Sequence, residues 1–308
     1  MAQRSKRILT MVGAAFALWR VVHRVRARAS RTLRGRVAIV TGGSRGLGFL
    51  LARELGRQGC RVVICARDGD ELERASQSLA ARGVETLAVA CDVGDPAAVE
   101  RLVATTLERF GQIDLLINNA GTIHVAPLEA LGLGDFHDAM SATFWGTVHT
   151  SLAVLPHMRA RGSGRIVNVT SIGGKVAVPH LMPYACAKFA AVGFSDGLRA
   201  EVARDGIKVT TVIPGLMRTG SSKFALFKGK VRAEHAWFGA AAHMPGLAMS
   251  ACRAARRIVA AAKRGDAQVV LGAPAKALRL VNDLLPGLTA GSLSLANRLL
   301  PRADAAPA

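Results

Sequence analysis

The sequence predicts an α/β fold: one doubly wound parallel sheet of about seven strands, with helices on both faces. Three observations predict it. From residue 36 onward, short β-branched runs alternate with longer stretches of helical spacing. The short runs are continuously apolar, as strands buried on both faces must be. The first run ends in a glycine-rich turn, Thr41-Gly42-Gly43-Ser44-Arg45-Gly46-Leu47-Gly48, that opens the first helix. Composition permits such a fold. A chain of 308 residues, 50% hydrophobic and 20% charged, suits one large domain with a real core and excludes a disordered chain.

The elements follow in order. Strands are expected at 36–41, 61–65, 84–91, 113–117, 165–170, 207–213 and 267–271. Between them the spacing predicts helices over 46–58, 68–82, 95–110, 134–161 and 183–204, each connection crossing right-handedly. The 217–249 stretch breaks the rhythm. It holds Phe224, Phe227, Trp237 and Phe238 without one period, and reads as a loop-and-helix lid. A helix follows at 250–263. The tail from Pro274 has apolar helical spacing at Leu278, Val281, Leu284 and Leu285, with Pro286 as a breaker, and 302–308 reads as a frayed end. Three parts result: a basic hydrophobic helix at 1–34, the main domain at 35–272, and a helical extension at 273–308.

Charge is uneven. The formal net charge is +20, yet residues 1–36 alone carry ten Lys and Arg and no acid. Within them, 8–19 is an uncharged apolar run of twelve residues, closed by Trp19 and Arg20. That is short of the roughly 20 residues of a spanning helix. A secretory signal, a short or tilted anchor, an interfacial helix and a soluble basic helix all compete for it. The expectation is contact with a membrane surface through residues 1–36, with the main domain on the cytoplasmic side. Nucleic acid is not an expected partner: the basic tail lacks interleaved aromatics, and no zinc-finger or RNP-type motif occurs. The five cysteines are scattered, with no C-x-x-C, so buried reduced thiols are expected rather than a disulfide framework. The histidines show no ligand spacing, and no metal site is expected.

Three groups of residues carry chemistry. In the first turn, Gly42, Gly46 and Gly48 let backbone approach a pyrophosphate, and the helix N-terminus supplies N–H donors and a favourable dipole. Next, the end of the second strand reads Ala66-Arg67 where an NAD-binding fold usually has an acid for the ribose 2′-hydroxyl, and Arg45 sits inside the glycine turn. Two guanidinium groups suit a 2′-phosphate, so NADP(H) is expected in preference to NAD(H), with Asp68 as the counter-indication. Finally, Tyr184 and Lys188 stand four apart on one helix face, so an ammonium group can favour the phenolate. Ser171, at the end of the fifth strand, can offer its hydroxyl to a substrate carbonyl.

Together these residues resemble the short-chain dehydrogenase/reductase family, over about 35–271. The resemblance extends to Cys91-Asp92-Val93, to Asn118-Asn119-Ala120-Gly121, and to Pro214-Gly215 followed by Thr219. It implies a Rossmann-type fold and a set of roles. Tyr184 is the general acid, Lys188 binds the nicotinamide ribose and lowers the Tyr184 pKa, and Ser171 orients the carbonyl. Ser44, Arg45 and Leu47 join the glycines at the cofactor. Asp92 and Val93 line the adenine site, Asn118, Ala120 and Gly121 lie beside the cofactor, and Pro214, Gly215 and Thr219 lie near the nicotinamide. One departure stands out: Thr143, in Thr143-Phe144-Trp145-Gly146, takes the place of the family's Asn, which helps hold a water in the proton relay. The implied function is NADP(H)-dependent carbonyl reduction or alcohol oxidation on a small hydrophobic substrate, by a homodimer or homotetramer. A catalytically weakened NADP-binding sensor or membrane scaffold is the alternative.

Overall fold

A computed structural model describes residues 32–244 and 247–302, without the side chains of residues 242 and 243. The apolar run 8–19 lies outside the described residues, and among those described no helix is long and apolar enough to cross a membrane.

Seven parallel strands form the main sheet: β1 (Val37–Thr41), β2 (Arg61–Ala66), β3 (Thr86–Ala90), β4 (Leu115–Asn118), β5 (Gly164–Val169), β6 (Ile207–Pro214) and β7 (Gln268–Leu271). Their spatial order is β7-β6-β5-β4-β1-β2-β3. The chain therefore winds outward from β1 to β3, then returns to lay β4 on the other side of β1. The carboxyl ends of β1 and β4 consequently flank a crevice, the usual place for a ligand in such a sheet.

Alternate side chains of each strand enter two cores. Ala38, Val40, Val62 and Ile64 face α1 (Gly46–Arg57), α2 (Gly69–Ala80) and α8 (Ala251–Arg264). Val37, Ile39, Val63 and Cys65 face α3 (Pro96–Phe110), α5 (Gly146–Ala160) and α6 (Met182–Val202). Helix starts follow capping chemistry: Asp68 accepts from the Glu71 amide and Asp95 from that of Ala97, with Pro96 in the first turn. Gly111 closes α3 at φ 71°.

Two expectations change. The single helix at 134–161 is instead α4 (Leu133–Ala139), a π-helical turn (Met140–Trp145), and α5. The cysteines are not all buried. Cys60, Cys65 and Cys91 are, and burial pushes the Cys60 thiol up to about 12, but Cys186 and Cys252 lie on outward faces of α6 and α8. The lid contains a short 3-10 turn (Ser221–Phe224) and α7 (Val231–His243), tied down by two-residue parallel pairings at 124–125 with 226–227 and at 217–218 with 249–250. Pro286 ends α9 (Ala273–Leu284) and begins α10 (Pro286–Asn297).

Candidate active site

The two loops flanking the crevice are stapled together. The Thr41 hydroxyl accepts from the amides of Asn119 (2.9 Å) and Ala120 (3.0 Å), and Asn119 Nδ2 donates to the carbonyls of Thr41 and Gly42. Gly48 has no room for a side chain, since a Cβ there would fall 1.9 Å from the Gly42 carbonyl oxygen. Gly46 has φ 54°, and Thr219 of the lid reaches over it, its carbonyl 3.7 Å from the position a Cβ would take. Helix α1 starts with no side-chain cap and no acid in its first turn, so its N–H groups face the crevice free for an anion. Leu47 points the other way, into the core.

The groups expected to select the cofactor are differently engaged. Arg45 Nη1 pairs with the Glu71 carboxylate at 3.0 Å, and its guanidinium carbon lies 3.8 Å from the Phe224 ring centroid. Ser44 Oγ donates to the same carboxylate at 2.9 Å. Arg67 is exposed at the end of β2, and Asp68 is occupied in capping α2. Glu71 had no signal in the sequence, because its partners stand 26 and 27 residues away.

The carboxyl end of β5 delivers Ser171 and helix α6 delivers Tyr184 and Lys188. Ser171 Oγ accepts from the Gly173 amide at 3.0 Å, and Ser171 Oγ and the Tyr184 ring both border Gly173, 3.4 and 3.2 Å from where a Cβ would stand. Burial pushes the Tyr184 phenol above its ordinary range, and Ser171 opposes that rise. Lys188 is 5% exposed; its Nζ donates to the Val169 carbonyl at 2.9 Å and lies 5.7 Å from the Tyr184 ring centroid. Burial brings the ammonium down to about 8. The lowering of the Tyr184 pKa expected from Lys188 does not enter: burial raises the phenol, and the opposing influence comes from Ser171.

Thr143 is buried in the π-helical turn, its Oγ1 3.4 Å from the Thr122 amide. A Cβ on Gly121 would fall 2.9 Å from Thr143 Oγ1 and 3.7 Å from Lys188 Nζ, so both groups border the space this glycine leaves. The neighbouring Thr122 hydroxyl is buried with no hydrogen-bond partner among the described residues. This bare backbone at Gly121 and Gly42, an uncapped helix start and an orphan hydroxyl fit a dinucleotide running from α1 to Lys188.

The remaining residues around the crevice make local contacts. Asn118 is buried: its Nδ2 donates to Ser151 Oγ and Asn168 Oδ1, and its Oδ1 accepts from Thr150 at 2.6 Å, so its side chain binds β4 to β5 and α5. Val93 packs in the core against Gly146, while Asp92 is exposed and accepts from the Gly94 amide. Pro214 and Gly215 end β6, where the Gly215 amide donates to Leu271. His180 has φ 64°, strained for a residue with a Cβ. Its Nδ1 donates to both oxygens of Glu234 at 2.9 and 3.0 Å, and Trp237 Nε1 donates to the same carboxylate at 2.6 Å. Glu234 is fully buried on α7, so this group fastens the lid to the loop before Tyr184.

Comparison with known proteins agrees with this layout. The model of the short chain dehydrogenase family matches residues 36–226. A putative ketoacyl reductase of Streptomyces coelicolor is 40% identical over 185 residues, covering 59% of this chain and 71% of that protein. Dehydrogenase/reductase SDR family member 7B of Bos taurus is 34% identical over 280 residues, covering 89% and 84%. A solved actinorhodin polyketide ketoreductase variant with NADPH superposes with a TM-score of 0.68 at 33% identity, covering 78% of this chain and 95% of that one. With its parallel sheet, its glycine turn at the β1–β4 crevice and most of its length matched, the chain belongs to the short-chain dehydrogenase/reductase family of NAD(P)-dependent oxidoreductases.

Proposed function

We propose that the chain reduces a carbonyl group, or oxidises the matching alcohol, on a small hydrophobic substrate, with NADP(H) preferred over NAD(H). The observation that carries the reading is Ser171 and Tyr184 side by side at Gly173, with Lys188 buried four residues on along the helix that bears Tyr184. A phenol held above its ordinary range is protonated at neutral pH, the state a general acid needs. Tyr184 donates its proton to the carbonyl oxygen, while Ser171 orients that oxygen with a hydrogen bond. Lys188 Nζ, brought to about 8, exchanges its proton near neutral pH, and the Thr143 and Thr122 hydroxyls extend a polar route from it. The backbone of Gly42, Ser44, Arg45, Gly46, Leu47 and Gly48 would hold the phosphates. Asp92, Ala120 and Gly121 would flank the rest of the cofactor, and Pro214, Gly215 and Thr219 would lie near the nicotinamide. When bound, the nicotinamide supplies or receives the hydride.

NADP(H) preference rests on Arg45 and Arg67 and is supported by the NADPH-bound neighbour. A hydrophobic substrate is supported by the lid aromatics, where Phe227, Trp237 and Phe238 pack edge to face. Self-association through the long helices is supported by Leu152 and Phe189, which are 53% and 43% exposed on α5 and α6. Membrane contact through residues 1–36 on the cytoplasmic side remains part of the proposal.

The test is NADPH and NADH oxidation against a panel of hydrophobic ketones and aldehydes, with Tyr184→Phe as control. Turnover that prefers NADPH and vanishes in the variant is expected. Thr143 in the Asn place favours the second reading, a weakened NADP-binding sensor or membrane scaffold, which predicts tight NADPH binding without turnover.

A further inference from the structure

The C-terminal extension turns its apolar residues away from its own domain. In α9, Ala275 is buried, and Leu278, Arg279 and Asn282 are half-buried and face inward. Asn282 Nδ2 donates to the Lys175 carbonyl, in the loop after Ser171, and Arg279 bonds Gln268 of β7. The outward face carries Leu280 (59% exposed), Val281 and Leu284 (68%). Helix α10 buries only Thr289, and it presents Leu288 (60%) and Leu295 (61%), with Leu299 (85%) just beyond. In α9 positions 277, 280, 281 and 284 recur at helical spacing and form one outward stripe, while α10 is exposed on almost every side, with Ser292 between Leu288 and Leu295 and with Leu299 beyond its end.

Charge frames this stripe. No residue from 284 to 297 is charged. Lys276 precedes it and Arg298 and Arg302 follow it, all exposed, with Asp283 the one acid between 273 and 302. At the foot of α9, Arg257 of α8, Lys276 and Arg279 line a depression with Val270, Leu280 and Asp283, whose carboxylate pairs with Arg279 at 3.3 Å, so Arg257 and Lys276 are its cations without an acid beside them on the same helix turn. Protein interfaces draw their energy chiefly from Trp, Tyr and Arg at the centre. This stripe has leucines among Gly, Ser, Thr and Ala, with cations only at its ends. Such a composition suits the headgroup–acyl boundary of an anionic bilayer.

We propose that α9 and α10 form an interfacial docking element for an anionic membrane surface, separate from residues 1–36. Leu284, Leu288 and Leu295 enter the acyl boundary, and Arg257, Lys276, Arg298 and Arg302 meet the lipid phosphates. The element begins beside the candidate active site, since a Cβ on Gly215 would fall 2.8 Å from the Ala275 methyl. Docking there holds the carboxyl edge of the sheet against the bilayer.

Hydrogen–deuterium exchange of the full chain reads the two segments separately. The probes are vesicles of phosphatidylcholine alone and of phosphatidylcholine mixed equally with phosphatidylglycerol. Amides of 286–297 are expected to exchange roughly tenfold more slowly on the anionic vesicles. The protection should fade with salt, and it should be lost in the triple variant Leu284→Asp, Leu288→Asp, Leu295→Asp. Because these side chains are exposed, that variant keeps the wild-type melting temperature and any protection of residues 1–31. Three results overturn the proposal: no added protection of 286–297, equal protection on neutral vesicles, or protection that follows protein concentration without lipid, which assigns the stripe to a second copy of the chain.

Discussion

Lys188 offers a stability measurement that tests the electrostatics of the site without a substrate. The side chain is 5% exposed and its one described hydrogen bond runs to the Val169 carbonyl. Burial lowers its pKa from 10.5 to about 8. Each unit of difference between folded and unfolded chains is worth about 1.4 kcal/mol. Below pH 8 both states hold the proton, and the fold bears the whole cost of burying it. Between about 8 and 10.5 the unfolded chain binds more protons, so stability rises with pH, by about 3 kcal/mol in all. Lys188→Met removes this dependence. It also leaves the Val169 carbonyl unpaired, a loss of about 1–3 kcal/mol that does not vary with pH. Urea unfolding of both proteins, followed by circular dichroism from pH 7 to pH 10, gives the difference curve. The wild type should gain on the variant steadily above pH 8. A flat difference would show that Nζ is solvated or paired in the fold and would refute the reasoning.

Three further outcomes follow from single contacts. Gly48→Ala drives a methyl group into the Gly42 carbonyl, so NADPH affinity by fluorescence titration should fall at least about tenfold, with a stability loss of roughly 1–3 kcal/mol. Glu71→Gln releases Arg45 and Ser44 from a carboxylate that repels a 2′-phosphate; the NADPH-to-NADH ratio of kcat/KM should rise several-fold, about 1 kcal/mol, and an unchanged ratio would remove Arg45 from cofactor selection. Glu234→Ala leaves His180 and Trp237 without their acceptor in a buried site, costing about 2–4 kcal/mol in urea unfolding and raising KM more than it lowers kcat, because the lid loosens while Tyr184 stays in place.

What the sequence disclosed was local or periodic. Continuous apolar runs mark strands such as β1 and β2 because both of their faces are covered, and the four-residue step from Tyr184 to Lys188 needs only a helix to bring the side chains together. The π-helical turn at Met140–Trp145 left no mark, because one extra residue in a turn shifts the hydrophobic period too little to see over so short a stretch. Glu71 and Glu234 were equally hidden. A carboxylate declares its partner only when the fold brings a residue 26 or 54 positions away into reach. Asn118 shows the reverse case: the motif was visible, but the side chain turned inward to a buried polar network that a linear reading cannot orient.

The Thr41 staple bears on the order in which the chain acquires function. Its hydroxyl holds amides 78 and 79 residues further on, so the glycine turn cannot take its final form until β4 has been made and docked. Closing a loop of that length carries an entropic penalty that local structure does not offset. Nucleotide affinity is therefore a late property of a growing chain. A nascent chain that ends before Ala120 can form the β1–α1–β2 unit yet not grip the dinucleotide, and nucleotide, once bound, selectively stabilises chains whose sheet has closed across β1 and β4. In this molecule cofactor capture reports on the closure of β4 against β1.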